Sequence, residues 1–486
     1  MFAKPEILDF SQRRIRVLHY TWIAFFITFY VWFNMAPLAT TMLKSVNWLT
    51  PEHLKILAIC NVALTIPARI FIGALIDRFG PRLTFSALLI VMSFPAFMFA
   101  FGNSFMQLLI ARLVLSSIGA GFVIGIRMTA EWFPPKMVGR AEGFYAGWGN
   151  FGSAWAAMTL PWIALYIFGA YEEGWRYALA VNGLVSLVYG FLYYFLVTDT
   201  PEGKKYEGTK KTQPMLLSSW GDLVQYLVWS APLMAALGLL AWRVSTISFS
   251  NGEAPVITQQ TLYLIWGVLA LIYVAHVAKT LQVNVPRLKR GVPEADRFSF
   301  NSVAALNTTY FANFGAELAV VSMLPAFFET TFTISPTSAG LVASSFALIN
   351  LVARPLGGLV SDMMGNRKRI MLVYMLGIAL GFLGMAFINS SWPIAVAVLL
   401  TMACSCFVQG AEGATFAIIP FIKRRLTGQI AGMAGAYGNV GAVVYLVIYS
   451  LVDAQTFFFI LAAGAATSFV YCLIFLKEPT ESFAEE

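Results

Sequence analysis

Apolar residues in this chain run in long unbroken blocks instead of recurring at helical or strand spacing. A block of about 18 or more reads as a transmembrane helix, because about 20 residues at ~1.5 Å rise cover a ~30 Å hydrocarbon core. Inside that core every backbone N–H and C=O must be paired internally, so the spans are helices or a closed barrel. Barrel strands would show about ten residues of alternating polarity, and nothing here alternates in that way. The blocks predict spans at 19–43, 54–76, 83–102, 106–131, 140–168 and 175–198, then a hydrophilic stretch at 199–221. Six more follow at 303–327, 337–361, 370–389, 393–419, 428–451 and 455–477. Between the halves lie two further apolar stretches, Leu223–Trp242 and Thr261–Leu281, joined by a polar loop at 244–260. Each is long enough to cross. An inserted hairpin is expected, giving 12 + 2 spans; the alternative is that both stretches lie along the membrane surface. The expected class is an all-α polytopic membrane protein.

Composition agrees with this. Of 486 residues, 59% are hydrophobic and only 12% charged, where a soluble domain carries about 25% charged residues. The net charge of +8 does not point to nucleic acid, since no basic cluster is interleaved with exposed aromatics on a soluble domain. Basic residues gather at Arg13–Arg16, Arg78–Arg82, Lys136–Arg140, Lys204–Lys211, Arg287–Arg290, Arg367–Arg369 and Lys423–Arg425, in every second loop. The loops between, such as 168–173 and 328–335, have almost no Lys or Arg. That is the positive-inside pattern. It predicts a cell inner-membrane protein with both termini cytoplasmic. Its regions are an N-terminal bundle 1–198, a cytoplasmic linker with the insertion 199–302, and a C-terminal bundle 303–486. The first 18 residues are polar and lack the apolar region and cleavage site of a secretory signal, so the first span is expected to remain. Cys60, Cys404, Cys406 and Cys472 all fall inside spans with no metal-ligand spacing and are expected to be small buried apolar residues. No metal or cofactor is expected.

The halves repeat. Ala68-Arg69 is followed by Gly73 and Asp77, and Ala353-Arg354 by Gly358 and Asp362, at identical offsets. Gly139, Gly143, Gly149, Asn150 and Gly152 likewise correspond to Gly428, Gly432, Gly438, Asn439 and Gly441. Two parallel six-helix repeats are the plan of a secondary transporter whose site lies between them near the bilayer midplane. Charges at that depth are costly and mark substrate pathways. If Asp77 and Asp362 set the inner edge, eight residues of helix place Arg69 and Arg354 roughly 12 Å inside it. Two arginines facing each other across the axis repel, and an anion between them resolves that; the competing reading pairs each with its own acid. The planar guanidinium fork suits planar oxyanions. Asn150 and Asn439, each eleven residues past a repeat glycine, reach similar depth and can donate to an anion or join helices. Gly147–Gly152 fits a dinucleotide-binding pattern by letter only: it sits inside an apolar span with no strand before it. Glycine rows in a membrane helix let neighbours approach closely.

Gly73-x-x-x-Asp77-Arg78-x-Gly80-x-Arg82 resembles the loop signature of the major facilitator superfamily, with Gly358–Arg367 as a weaker echo. The resemblance implies that fold, with Asp77, Arg78 and Asp362 as gating residues. Within the superfamily the chain is similar to the nitrate/nitrite porters. Arg69 and Arg354 match that family's substrate clamp. Ala146–Gly152 and Gly435–Gly441 resemble its two signatures, and Phe122, Tyr310 and Phe314 match aromatics that flank its anion. The stretches Tyr310–Leu318 and Gly410–Phe416 resemble uptake-type members. Tyr310 and Phe314, four apart, share a helix face, and aromatic faces on a flat anion would exclude tetrahedral phosphate or sulfate.

The substrate implied is nitrate or nitrite, taken up with protons by a monomer in the lipid bilayer. Uptake of an anion against a negative-inside potential costs ~2.3 kcal/mol per charge per 100 mV, and proton coupling needs a titratable group in the pathway. Glu317 and Glu412 are the candidates, with a role as static counter-ions as the alternative. Glu131, four residues past Arg127, reads as a structural or gating ion pair with it. Nitrate/nitrite exchange, or carriage of another small anion such as formate or cyanate, are the other transport readings. An enzyme or sensor lacks support: there is no HExxH, no GxSxG, and only three histidines.

Overall fold

The computed structural model describes residues 6–206, 214–248, 254–423 and 426–478. Among them the chain is helical, with one isolated bridge between Ser248 and Pro255. The first bundle comprises α1 (Arg13–Trp32), α2 (Ala39–Ser45), α3 (Pro51–Ala63), α4 (Thr65–Ala100), α5 (Phe105–Leu115), α6 (Gly121–Trp132), α7 (Pro135–Trp162) and α8 (Gly174–Leu196). The insertion is α9 (Trp220–Ser245) and α10 (Gln259–Arg290). The second bundle comprises α11 (Phe300–Ala312), α12 (Phe314–Phe332), α13 (Pro336–Leu348), α14 (Asn350–Met363), α15 (Arg367–Met385), α16 (Ile394–Ile422), α17 (Thr427–Tyr449) and α18 (Ala454–Phe475).

Several of these helices are halves of one crossing. Twelve segments among the described residues are long and apolar enough to cross a membrane. One, Pro51–Ala100, has 50 residues, more than two crossings' worth. It turns back at Gly80, where φ is +80°. A Cβ there would also strike the Asp199 carboxylate, so only glycine fits. Helix α7, made less apolar by Glu142, Asn150 and its glycines, is a further bundle helix. Six crossings, two helices and six crossings result, in the order the apolar blocks predict. Helices outrun those blocks where polar turns continue past the hydrocarbon. Thus α10 extends nine residues beyond Leu281, to Arg290, and stops at Gly291 with φ +85°.

Helices break where they matter. The crossings α3/α4 and α13/α14 are interrupted at Leu64 and Ile349, each five residues before its arginine. The crossing α1/α2 breaks after Trp32, and α11/α12 breaks at Asn313. Freed backbone groups at membrane depth need protein partners, and polar side chains supply them. The Ser116 hydroxyl accepts from the Leu64 N–H at 3.1 Å, and the Thr65 hydroxyl donates to the Ser116 carbonyl at 2.5 Å. Asn61 Nδ2 donates to the Trp32 carbonyl at 2.8 Å, and buried Arg112 donates to Asn34 Oδ1 at 3.0 Å.

The bundles meet at one end and part at the other. Away from the face carrying the termini, the Thr40 hydroxyl of α2 donates to Glu329 of α12, and Lys44 pairs with the same carboxylate at 3.3 Å. Toward the terminal face, Gly73 of α4 and Gly428 and Gly432 of α17 have nothing within 4 Å of where a Cβ would lie. Gly428, Gly432 and Gly435 share one face of α17, and Gly435 lies against Arg69 Nη1. Helices α4 and α17 therefore diverge from Arg69 toward the terminal face. This corrects the expectation that the whole glycine row closes on a neighbour: Gly149, Gly152, Gly438 and Gly441 do, but Gly428 and Gly432 line a gap. A second correction concerns Cys406, which is exposed on α16 while Cys60, Cys404 and Cys472 are buried.

Candidate functional site

Arg69 on α4 and Arg354 on α14 converge on the same two rings. The Arg69 guanidinium carbon lies 5.3 Å from the Phe122 centroid and 5.9 Å from that of Phe314. For Arg354 the same distances are 5.9 and 5.8 Å. Tyr310 and Phe314 stack at 5.1 Å with an interplanar angle of 17°. The α17 backbone packs closely against these rings because residue 438 is glycine: a Cβ there would press on both. Phe416 closes the wall, 5.2 Å from Tyr310 and 5.7 Å from Phe122.

The two arginines differ in their partners. Arg354 Nη1 donates to Glu412 Oε2, and its Nη2 donates to the Tyr310 hydroxyl at 2.9 Å. Both ions of the pair are buried. Arg69 is also buried, 7% exposed, yet its Nε has no hydrogen-bond partner and no described carboxylate pairs with it. Its neighbours are aromatic faces and the Gly435 backbone. The expectation of two unneutralised arginines is thus corrected for Arg354, whose acid arrives from α16, a helix the repeat spacing does not involve. A buried cation without a hydrogen-bonded counter-charge is costly, and a small anion with acceptor oxygens supplies both what Arg69 lacks.

Behind Arg354, Glu317 Oε1 accepts from Asn350 Nδ2 at 2.7 Å. Asn439 donates to the Gly435 carbonyl of its own helix at 3.2 Å, leaving its Oδ1 unpartnered. Asn150 is buried, and neither of its side-chain polar atoms has a hydrogen-bond partner among the described residues. The residues expected to gate lie elsewhere. Glu131 pairs with Arg127 at 3.0 Å and also with Lys204 at 2.8 Å, so the linker after α8 completes that pair. Tyr206 of the linker donates to the Ile76 carbonyl at 2.9 Å and lies under Arg127, beside Asp77. Arg78 lies over the Phe79 ring at 5.1 Å. The Asp362 side chain is outside the described residues.

Two residues here escaped the sequence reading. Asn350 is a polar residue four before Arg354, and Phe416 is four after Glu412. Both sit on the site-facing side of their helices, and that spacing was the available signal. The crevices beside α9 are walled by residues such as Trp229, Pro232, Phe311 and Leu239 and offer no cation for an anion.

The Major Facilitator Superfamily profile matches residues 21–281 and 306–486. "Nitrate/nitrite transporter NrtP" of Nostoc punctiforme is 47% identical over 483 residues, covering 99% of this chain and 95% of that protein. The protein of that name from Picosynechococcus is 46% identical, covering 99% and 96%. "High affinity nitrate transporter 2.5" of Arabidopsis thaliana is 27% identical, covering 91% and 75%. Among solved structures, the xylose transporter XylE from E. coli superposes with a TM-score of 0.63 at 16% identity, covering 96% of this chain and 99% of that one; this likeness concerns the fold. The chain belongs to the Major Facilitator Superfamily, and within it to the nitrate/nitrite transporter family that the two cyanobacterial proteins represent.

Proposed function

We propose that this chain is a secondary transporter that moves nitrate and nitrite across the cytoplasmic membrane by alternating access. The observation that carries the reading is Arg69, a buried guanidinium with aromatic faces around it and no acid of its own. A planar anion can lie along those faces, accept from Arg69, and share Arg354 and Tyr310 from the other bundle. Asn150 and Asn439 are the further donors. Binding to both bundles at once is what lets one anion bias their rocking.

With the basic loops facing inward, the terminal face is cytoplasmic. The gap between α4 and α17 then opens inward, and the Thr40–Glu329–Lys44 contact closes the outside. Asp77, Arg78, Arg127, Glu131 and Asp362 would gate the inner face, with Lys204 and Tyr206 as their linker partners. The insertion is read as crossing the membrane, supported by Asp222 at the start of α9, which accepts from the Phe300 N–H at 2.9 Å, and by Arg243 at its end, which pairs with Glu52 at 2.9 Å. Contacts toward opposite ends of the bundle favour a crossing over a helix lying on the surface. The carrier is taken to work as a monomer. Uptake is coupled to protons, with Glu317 and Glu412 as carriers.

The test is competition in proteoliposomes. Labelled nitrate uptake should be inhibited by nitrite and unlabelled nitrate, and not by sulfate or phosphate. Equal inhibition by the tetrahedral anions would remove the planar-slot reading.

A further inference from the structure

The insertion is fastened to the second bundle along its length. At the inner end, Ser218 Oγ accepts from the Phe298 N–H at 2.9 Å, and Asp222 Oδ1 accepts from the Phe300 N–H at 2.9 Å. Midway, the Tyr437 hydroxyl of α17 donates to the Trp229 carbonyl at 2.5 Å, and the Trp229 ring lies against Tyr437 and Tyr471. At the outer end of α9, Arg243 reaches both bundles. Its Nε donates to Ser450 Oγ, just past α17, at 2.8 Å, and its Nη1 donates to Thr246 Oγ1 at 2.7 Å. Its Nη2 donates to Glu52 Oε1 of α3, in the first bundle, at 2.9 Å. A second contact runs beside this one. The Thr50 N–H donates to His53 Nδ1 at 3.3 Å, so the ring proton sits on Nε2, which donates to the Ser248 carbonyl at 3.3 Å. The bundles themselves meet at the same place, where Lys55 of α3 lies over the Tyr449 ring of α17 at 5.2 Å.

We propose that Arg243 is a latch on the outer gate: the insertion rides with the second bundle, and the Arg243–Glu52 bridge to the first bundle holds the outer face shut. The proposal rests on the alternating-access reading above and gives the insertion a part in it. The Thr40–Glu329–Lys44 contact closes α2 on α12; the latch closes α3 on α17, a different pair of helices.

The direction of the bias follows from where the bridge must break. Outward opening parts the outer ends of α3 and α17. Thr246 and Ser450 move with Arg243, so the bond that is lost is the one to Glu52. Glu52 is exposed and regains water, while Arg243 is buried and loses the carboxylate that faces it. A buried charge deprived of its partner is costly, and the cost falls on the outward-open state alone. The bridge therefore shifts the resting carrier toward its inward-open form. Arginine suits the role because its fork engages three partners at once, which an ammonium on a flexible stem does not match.

The experiment uses the full chain in proteoliposomes, with Cys406→Ser removing the exposed native thiol and one cysteine placed on the outer half of α3. Its labelling by a membrane-impermeant maleimide reads outward opening. Arg243→Gln and Glu52→Ala should each label about fivefold faster than the parent, the shift expected from losing one partly exposed ion pair. Arg243→Lys should fall between. A purely structural role for Arg243 would lower the melting temperature and leave labelling unchanged; unchanged labelling in Glu52→Ala would overturn the latch. A second measurement locks the contact covalently. Glu52 and Thr246 are both exposed and both touch Arg243. With Cys406→Ser, Glu52→Cys and Thr246→Cys combined, a short bis-methanethiosulfonate linker should slow nitrate counterflow at least tenfold, and reduction should restore it. Undiminished counterflow in quantitatively linked protein would overturn the proposal. Labelling needs no nitrate: a parent protein without nitrate counterflow would sink the substrate reading, and the labelling rates would still decide the latch.

Discussion

Arg69 and Arg354 occupy equivalent positions in two repeats, follow equivalent helix breaks, and touch the same two rings, yet their surroundings are opposite. Arg354 is saturated by Glu412 and Tyr310. Arg69 holds no hydrogen bond at Nε and pairs with no acid among the described residues. The repeat places both arginines alike, while α12 and α16 of the second bundle bring Glu317 and Glu412 near Arg354 alone. The comparison teaches that one arginine is held by the protein while its repeat counterpart has no described carboxylate partner. Surroundings that symmetry would make alike differ between the halves.

The separation can be broken at its strongest point first. Arg354→Gln strands Glu412 as a buried charge, which costs about 3–5 kcal/mol. The expected outcome is lost transport together with a marked fall in thermal stability, read by melting the purified protein. Arg69→Gln should abolish transport equally but leave stability unchanged or raised, because no protein partner is stranded. Equal destabilisation by the two variants would erase the difference drawn here. Tyr310→Phe removes one hydrogen bond to a charged group, worth about 1.5–3 kcal/mol. An increase of about tenfold or more in the nitrate concentration for half-maximal uptake is expected, with the fold intact. Gly438→Ala forces a methyl onto the Tyr310 and Phe314 rings; overpacking of this kind costs about 1–3 kcal/mol, and uptake should fall severalfold. The smallest effect belongs to Glu329→Gln. Its partners Thr40 and Lys44 lie near the surface, where such pairs contribute about 1 kcal/mol or less. A shift of a few-fold toward the outward-open state is expected, measured by accessibility of a cysteine placed on the outer half of α3.

The sequence carried the site unevenly. Arg69 and Arg354 were legible because intramembrane charge is rare and the offsets to glycine and aspartate repeat. Tyr310 and Phe314 were legible because i, i+4 spacing puts them on one face. The division of labour was not. Local sequence around the arginines is alike in both halves, and Glu412 lies 58 residues from Arg354 along the chain, so only the packing of α14 on α16 reveals the pair. Asn350 read as one more polar residue in a span, since its meaning depends on Glu317 arriving from α12. The open face of Gly428 and Gly432 was illegible for a related reason: a glycine row permits close approach without saying whether a neighbour is there. Lys204 and Tyr206, by contrast, belong to a linker whose basic residues signal membrane orientation and nothing about a partner on α6.

The central claim is that the anion is held by Arg69, through a planar fork that no point charge replaces. Nitrate uptake into proteoliposomes by Arg69→Lys tests it most directly, because the charge stays and only the fork is lost. Uptake at background level, in protein that melts as wild type does, is the predicted result. Robust nitrate uptake by Arg69→Lys would contradict the account.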